Sequence, residues 1–365
     1  MNSTVDALPT DTESAVYQRY AAASQAVEPA LCCPVEYSRD YLSVIPQEII
    51  EKDYGCGDPS PFVHPGETVL DLGSGGGKLC YILAQIVGSQ GRVIGVDCNT
   101  EMLSLARKYL AAVADQLGYG NVEFRYGLIQ DLQLNLDLLR TELARHPIHT
   151  PEEWLTARST EERLRRESPL VAPDSVDCVV SNCVLNLVRQ QDRQQLFAEI
   201  FRVLKPGGRA AISDIVASAD VPEVLQRDGE LWSGCISGAY REDRFLDAFH
   251  AAGFYGLQIA RRQSEAWRTV GGIEFRSMTV LAYKPPETTA ADHVAHAIYK
   301  GPFRQVHDDE GRSFVRAQPV EVTSETLVRL QRSPYAELFE ITGADATSGA
   351  LPLLDSCCGG ETNCC

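Results

Sequence analysis

Residues 69–77 read Val69-Leu70-Asp71-Leu72-Gly73-Ser74-Gly75-Gly76-Gly77 and continue into Lys78-Leu79-Cys80-Tyr81. Val69 to Leu72 have the apolar composition of a buried parallel strand, with a carboxylate near its end. Gly73, Gly75 and Gly77 then let the backbone turn tightly and approach a ligand where a Cβ would collide. Beyond them Leu79, Ile82, Leu83, Ile86 and Val87 recur at helical spacing, and Gly88 is placed to end the helix. Strand, glycine turn and helix in that order predict an α/β, Rossmann-like fold built on a parallel sheet.

The glycine spacing narrows the ligand. A dinucleotide fingerprint needs a further glycine beside the pyrophosphate, and Lys78 stands there. The pattern Asp71-x-Gly73-x-Gly75-x-Gly77 resembles instead the first motif of class I S-adenosylmethionine (SAM) methyltransferases. A second strand, Arg92 to Asp97, ends in a carboxylate suited to the two ribose hydroxyls. Cys98 follows it and can touch the cofactor through its backbone. The exit of a third strand (Val122, Phe124, Tyr126), at Gly127 to Asp131, is where such folds present backbone to adenine.

Around this centre the chain divides by composition. Residues 1–68 form an N-terminal segment whose thiols close over the site. Residues 69–284 form a SAM-binding domain on a seven-stranded sheet, interrupted by a charged insertion at 138–172. Residues 285–346 form a small α+β module, and 347–365 a flexible Cys-rich tail. Within the domain, Thr100 is placed to cap a helix. Thr150 and Ser159 open capping-box patterns, which predict two short helices in the insertion. A strand at Asp177–Ser181 is followed by a helix over Leu196 to Leu204, a Lys205-Pro-Gly-Gly208 turn and a strand at Ala210–Asp214. Late strands are predicted near Leu257–Ala260 and Ile273–Tyr283.

With 33 Lys+Arg against 50 Asp+Glu, the formal charge is -17. That repels phosphate backbones and argues against a nucleic-acid substrate. No apolar run reaches the roughly 18 residues of a membrane span, and the N-terminus lacks a signal-peptide layout. The sequence therefore predicts a cytoplasmic protein.

Against that background the 12 cysteines are unusual. A static disulfide framework does not suit the compartment, and no pair has the Cys-x-x-Cys spacing of a zinc ribbon or thioredoxin site. Cys80, Cys98 and Cys178 read as small hydrophobes of the core or of the cofactor wall. Cys56, Cys183 and Cys235 differ: each lies in a loop or strand exit, flanked by glycine or asparagine, on the side where SAM would lie. Three converging thiols make a soft site. Trivalent arsenic is soft, takes three sulfurs and keeps a lone pair that can attack the SAM methyl without a general base.

Tyr54-Gly55-Cys56-Gly57, Leu70 to Gly75, Ser181-Asn182-Cys183-Val-Leu-Asn-Leu187, the Trp232–Ala239 segment, Cys32-Cys33 and the terminal cysteine doublets together resemble arsenite methyltransferases. The resemblance implies that Cys183 and Cys235 bind As(III), offered as arsenite or glutathione conjugates. It implies that Cys56 joins the first binding steps and forms a disulfide with Cys183, with Cys33 or its neighbour Cys32 as relay thiol. Thioredoxin or glutathione would return the electrons. It also places Tyr54, Gly73, Asp97, Ile129 and Asn182 around SAM. The chain departs from the family's Arg-Asp-Cys at Lys78-Leu79-Cys80. Two other readings remain compatible: a class I methyltransferase with another small acceptor, and a soft-metalloid binding protein without turnover.

Overall fold

The computed structural model describes residues 12–26, 28, 35, 37–52, 54–287 and 295–343. Cys32, Cys33 and the cysteine-rich tail lie outside the described residues. The chain divides between Glu287 and Thr288 into two compact units.

The first unit is built on strands β1 (Thr68–Leu72), β2 (Arg92–Asp97), β3 (Val122–Tyr126), β4 (Val176–Asn182), β5 (Leu204–Ala217), β6 (Tyr240–Arg241), β7 (Tyr255–Arg262), β8 (Arg268–Val270) and β9 (Ile273–Tyr283). Seven of them run in the order β3-β2-β1-β4-β5-β9-β7, while β6 pairs β5 and β8 pairs β9. β1 to β5 are mutually parallel, and β9 inserts antiparallel between β5 and β7. The strand order therefore reverses direction between β1 and β4. In open α/β sheets, the crevice beyond the carboxyl ends at such a point is where ligands bind. The glycine turn leaves β1 there, and Asn182-Cys183 leaves β4 beside it.

The helix Lys78–Val87 is buried on all sides except at Gln85 and Ile86. It packs on β1, β2 and β3 and is covered on its other side by the short helices Arg39–Leu42 and Ser60–Phe62, so the apolar stripe read from the sequence is wider in fact. Three boundaries also differ from the sequence reading. Asn99, not Thr100, caps the next helix, because the Asp97 carboxylate fixes the Asn99 amide (2.8 Å) and frees its side chain to accept from Glu101 and Met102. Ser159 starts no helix. Pro151–Glu167 is one continuous helix opened by the Thr150–Glu153 capping box, and the Ser159 hydroxyl bonds back to the Leu155 carbonyl. The other helix of the insertion is Leu136–Arg145, capped by Asn135. Finally β5 begins at Leu204, with Gly207 at φ +80° inside a register shift against β4.

A helix at Thr12–Gln25 lies across the carboxyl end of this sheet. Tyr17 donates to Glu101 (2.8 Å) and its carbonyl accepts from Asn99, while Arg19 reaches the Glu230 carbonyl and Ser233 hydroxyl on the far side. The second unit pairs β10 (Ala295–Tyr299) with β13 (Pro319–Val322) and β14 (Phe339–Thr342), and β11 (Gln305–His307) with β12 (Ser313–Val315). A helix at Ser324–Leu330 closes its core through Leu327 and Leu330. No helix among the described residues is long and apolar enough to cross a membrane.

Candidate active site

Beyond the ends of β1, β2 and β4 lies a cavity of about 420 Å³. Its floor is the glycine turn. Gly73 and Gly75 take φ +71° and +49°, and a Cβ on Gly73 would lie 2.4 Å from Val184, so only glycine fits there. The turn is held to the second strand by a Gly75 amide bond to Asp97 Oδ2 (2.8 Å). Burial raises the Asp97 pKa, opposed by bonds from the Asn99, Gly75 and Cys98 amides. Asp71 is buried under the turn and accepts from the Cys80 thiol (3.2 Å). Leu128, Ile129 and Tyr126 give one wall an apolar character, and Tyr17 and Tyr20 of the first helix roof it.

The residues fit SAM. Gly75 turns bare backbone to the cavity, since a Cβ added there would meet no atom within 4 Å, and Ser74 lines the wall beside it. Asp97 lies at the end of β2 for the ribose, and the volume suits a ligand of this size.

Next to the cavity the thiols converge. The donor atoms of Cys56, Cys183 and Asp214 all lie within 4.8 Å of one another. The Cys235 thiol donates to the Cys183 carbonyl (3.0 Å), and hydrogen bonds also link the Cys183 thiol to those of Cys56 and Cys235. Cys183 and Cys235 both adopt left-handed backbone, at φ +64° and +59°. The bond to Cys235 favours Cys183 ionisation, but the bond to Cys56, burial and neighbouring negative charge prevail and hold its pKa well above the ordinary value. For Cys235 the bond to Cys183 and burial act in the same upward direction. These are neutral thiols, able to condense with the hydroxyls of arsenous acid by loss of water. Asp214 is pushed up to about 7 by burial.

Each thiol loop is tied down by a polar side chain. Asn182 Oδ1 accepts from the Cys56 and Gly57 amides (2.9 and 3.0 Å), and its Nδ2 donates to the Gly57 carbonyl (2.7 Å) and Tyr37 hydroxyl (2.8 Å). Asp214 holds Asn186 (2.7 Å). Buried Arg193 then bridges the Asn186 carbonyl (3.2 Å) of the Cys183 loop and the Gly238 carbonyl (2.6 Å) of the Cys235 loop.

Most of the residues singled out in the sequence come together here. Tyr54, Asp71, Gly73, Gly75, Asp97, Cys98, Ile129, Asn182 and Cys183 line the cavity, with Cys56 and Cys235 buried beside it. Gly77 is not among the lining residues; a Cβ on it would meet Phe124 at 2.7 Å, so its place is to let the helix close on β3. Asn182 spends its polar atoms on the Cys56 turn. Tyr54 donates to the Ala23 carbonyl (3.1 Å) and packs edge-on against Tyr20. Sequence reasoning missed Ser74, Asp214 and the roofing tyrosines. Asp214 had one legible signal: a carboxylate next to the end of a buried strand.

Fold and cavity together define a class I SAM-dependent methyltransferase, and residues 63–269 match the family described as "Methyltransferase domain". Residues 286–358 match a domain of unknown function (DUF8838). The chain is 31% identical to the arsenite methyltransferase of Mus musculus over 323 residues, 85% of this chain and 76% of that protein. It is 29% identical to the arsenite methyltransferase of Aquipseudomonas alcaligenes, with 94% and 93% covered. Among solved structures it resembles an arsenic (III) S-adenosylmethionine methyltransferase from Chlamydomonas reinhardtii (TM-score 0.57, 28% identity, 86% of this chain and 98% of that one). The chain belongs to the arsenite methyltransferase family, and its cofactor is SAM.

Proposed function

We propose that Cys56, Cys183 and Cys235 hold trivalent arsenic beside the SAM cavity and present its lone pair to the methyl group. The observation that carries this reading is the approach of the Cys56 and Cys183 thiols, within 4.8 Å of each other, with the Cys235 thiol bonded to the Cys183 carbonyl (3.0 Å) beside them. Arsenous acid and three thiols lose three waters and leave arsenic bound to three sulfurs, so no protein base is required. SAM, when bound, supplies a methyl group on a sulfonium. Cys183 and Cys235 would hold arsenic at about 3–3.5 Å from that carbon, the near-attack range. Asp97 and the glycine turn fix the other partner.

Methylation raises arsenic formally from +3 to +5. Two electrons return when the Cys56 and Cys183 sulfurs leave arsenic joined as a disulfide, each giving up one electron; a water oxygen takes the vacated position and releases a proton, and methylarsenic(III) remains on Cys235. Both sulfurs already belong to one cluster within 4.8 Å. Thioredoxin or glutathione would reduce the disulfide by exchange, with Cys33 as relay. A substrate that already carries one methyl needs one thiol fewer, and the reading assigns it to Cys183 and Cys235 alone.

Product speciation tests this. The purified chain is incubated with SAM, arsenite and a thiol reductant, beside C183S and C235S, and arsenic species are separated by chromatography. Methylated arsenic that disappears in both variants is the expected result. Unchanged methylation in either variant overturns the assignment.

A further inference from the structure

Asp214 is the one member of the thiol cluster that the arsenic chemistry leaves unused. It lies on β5, whose Ser213 pairs with Asn182 at the end of β4, and that register brings its carboxylate to the two thiols. Oδ1 accepts from Asn186 Nδ2 (2.7 Å) and from the Ile215 amide (2.8 Å). Oδ2 accepts from the Asn186 amide at 3.3 Å. One oxygen is thus held by two short bonds, and the other takes a longer one while the carboxylate faces the Cys56 and Cys183 thiols.

We propose that Cys56, Cys183 and Asp214 form a second donor set, for a borderline divalent metal ion of the zinc class, and that such an ion competes with arsenic for the shared thiols. Zinc takes sulfur at about 2.3 Å and carboxylate oxygen at about 2.0–2.2 Å in a tetrahedron, which puts donor atoms roughly 3.5–3.8 Å apart. The three donors, within 4.8 Å of one another, need only a small contraction. Arsenic is soft and prefers sulfur throughout, whereas zinc accepts thiolate and carboxylate together. Asp214 therefore belongs to the metal mode and Cys235 to the arsenic mode. Binding of the ion ionises both thiols, and their protons pass to water. The Asn186–Asp214 hydrogen bond is the outer-shell contact that orients a carboxylate ligand. The competition, though not the metal site itself, rests on the arsenic assignment above.

Cobalt(II), a spectroscopic stand-in for zinc, tests the site. The reduced full-length chain is titrated with cobalt, and thiolate-to-cobalt charge-transfer absorption with tetrahedral d–d bands is followed. The absorption should appear in the unaltered chain and fall on addition of arsenite. D214N keeps one oxygen for Asn186 and Ile215 but loses the metal donor, and cobalt affinity should drop about tenfold or more. C56S, on a different loop, should lose it as well, and so decides the matter even where D214N folds poorly. C235S should bind cobalt while failing to methylate arsenite. Cobalt absorption that survives in both C56S and D214N places the ion on other cysteines and overturns the proposal. If C235S still methylates arsenite, the arsenic assignment fails while the metal site stands on its own titration.

Discussion

Replacing Asn182 with alanine separates a cofactor role from a thiol-positioning role. The side chain makes four hydrogen bonds, all to the Cys56–Gly57 backbone and Tyr37. Its loss strands the Cys56 and Gly57 amides, each at a cost of about 1–3 kcal/mol where water cannot reach them. Water entering through the neighbouring cavity offsets part of this, so the net loss to the turn is about 3 kcal/mol. A turn loosened by that much no longer holds Cys56 in register, and a displacement of about 1 Å lowers a rate roughly a hundredfold. The assay is the initial rate at saturating SAM with arsenite and, separately, with methylarsenite, together with SAM affinity by calorimetry. Arsenite methylation should fall by about two orders of magnitude. Methylarsenite turnover and SAM affinity should change only a few-fold. Asn182→Asp should not rescue, because its second oxygen would face the Gly57 carbonyl that Nδ2 now meets at 2.7 Å. An equal loss with both substrates, tracking weakened SAM binding, would refute the positioning argument.

Gly55→Ala should reproduce the Asn182 phenotype from the other side, since its Cβ would lie 2.3 Å from Asn182 Nδ2; paired rates with the two arsenic substrates check this. Gly73→Ala should abolish SAM binding in calorimetry, because its Cβ would lie 2.4 Å from Val184 at φ +71°. Gly75→Ala should disturb the ligand-free fold less, because its Cβ meets no protein atom within 4 Å and adds only the left-handed backbone cost of about 1–2 kcal/mol, yet SAM affinity should still fall because that Cβ enters the cavity. Glu67→Gln breaks a two-pronged contact with Arg209 (2.7 and 2.8 Å) and should cost about 3 kcal/mol at neutral pH by urea unfolding. Burial raises the Glu67 pKa, but the Arg209 and His64 bonds outweigh it and the net shift is downward. Its stabilisation is therefore complete above the unfolded-state value and lost as pH falls through the folded one. The unaltered chain should lose more stability than the variant between about pH 5 and pH 3.

The sheet was legible because each parallel strand is a short apolar run, and the glycine turn after β1 sets the direction of reading. Asp71, Gly73 and Asp97 could be located because the motif fixes their offsets from that turn. What escaped depended on contacts between distant parts of the chain. Ser159 carries a capping pattern as good as that of Thr150, yet a cap acts only where the chain has left the helix, and nothing breaks the run after Pro151. The first helix has little apolar periodicity. It is held by Tyr17, Arg19 and Tyr20, whose partners lie on the second strand's loop, the Cys235 loop and Tyr54. Asp214 reaches the thiols only through the register of β4 on β5, which pairs Asn182 with Ser213. Local sequence carries no record of that register.

Cys235 shows how the site departs from what the backbone prefers. The short helix Gly229–Ser233 ends with the Ile236 amide on the Leu231 carbonyl and the Cys235 amide on the Trp232 carbonyl, both at 3.0 Å. This is a Schellman ending, and Cys235 occupies its left-handed position, at φ +59°, where glycine is favoured. A side chain there costs about 1–2 kcal/mol. The cysteine persists in a conformation its backbone disfavours, with its thiol at the Cys183 carbonyl (3.0 Å). Strain of this kind collects at functional sites. The argument fixes an order of stability. In an ordinary helix or strand, alanine is more stable than glycine by about 0.5–1 kcal/mol. At Cys235 the order should reverse, with Cys235→Gly more stable than Cys235→Ala by about 1 kcal/mol in urea unfolding, because both lose the thiol and only alanine keeps the strain. Alanine as stable as glycine would mean that the turn relaxes, and that the thiol is not held in place by the helix ending.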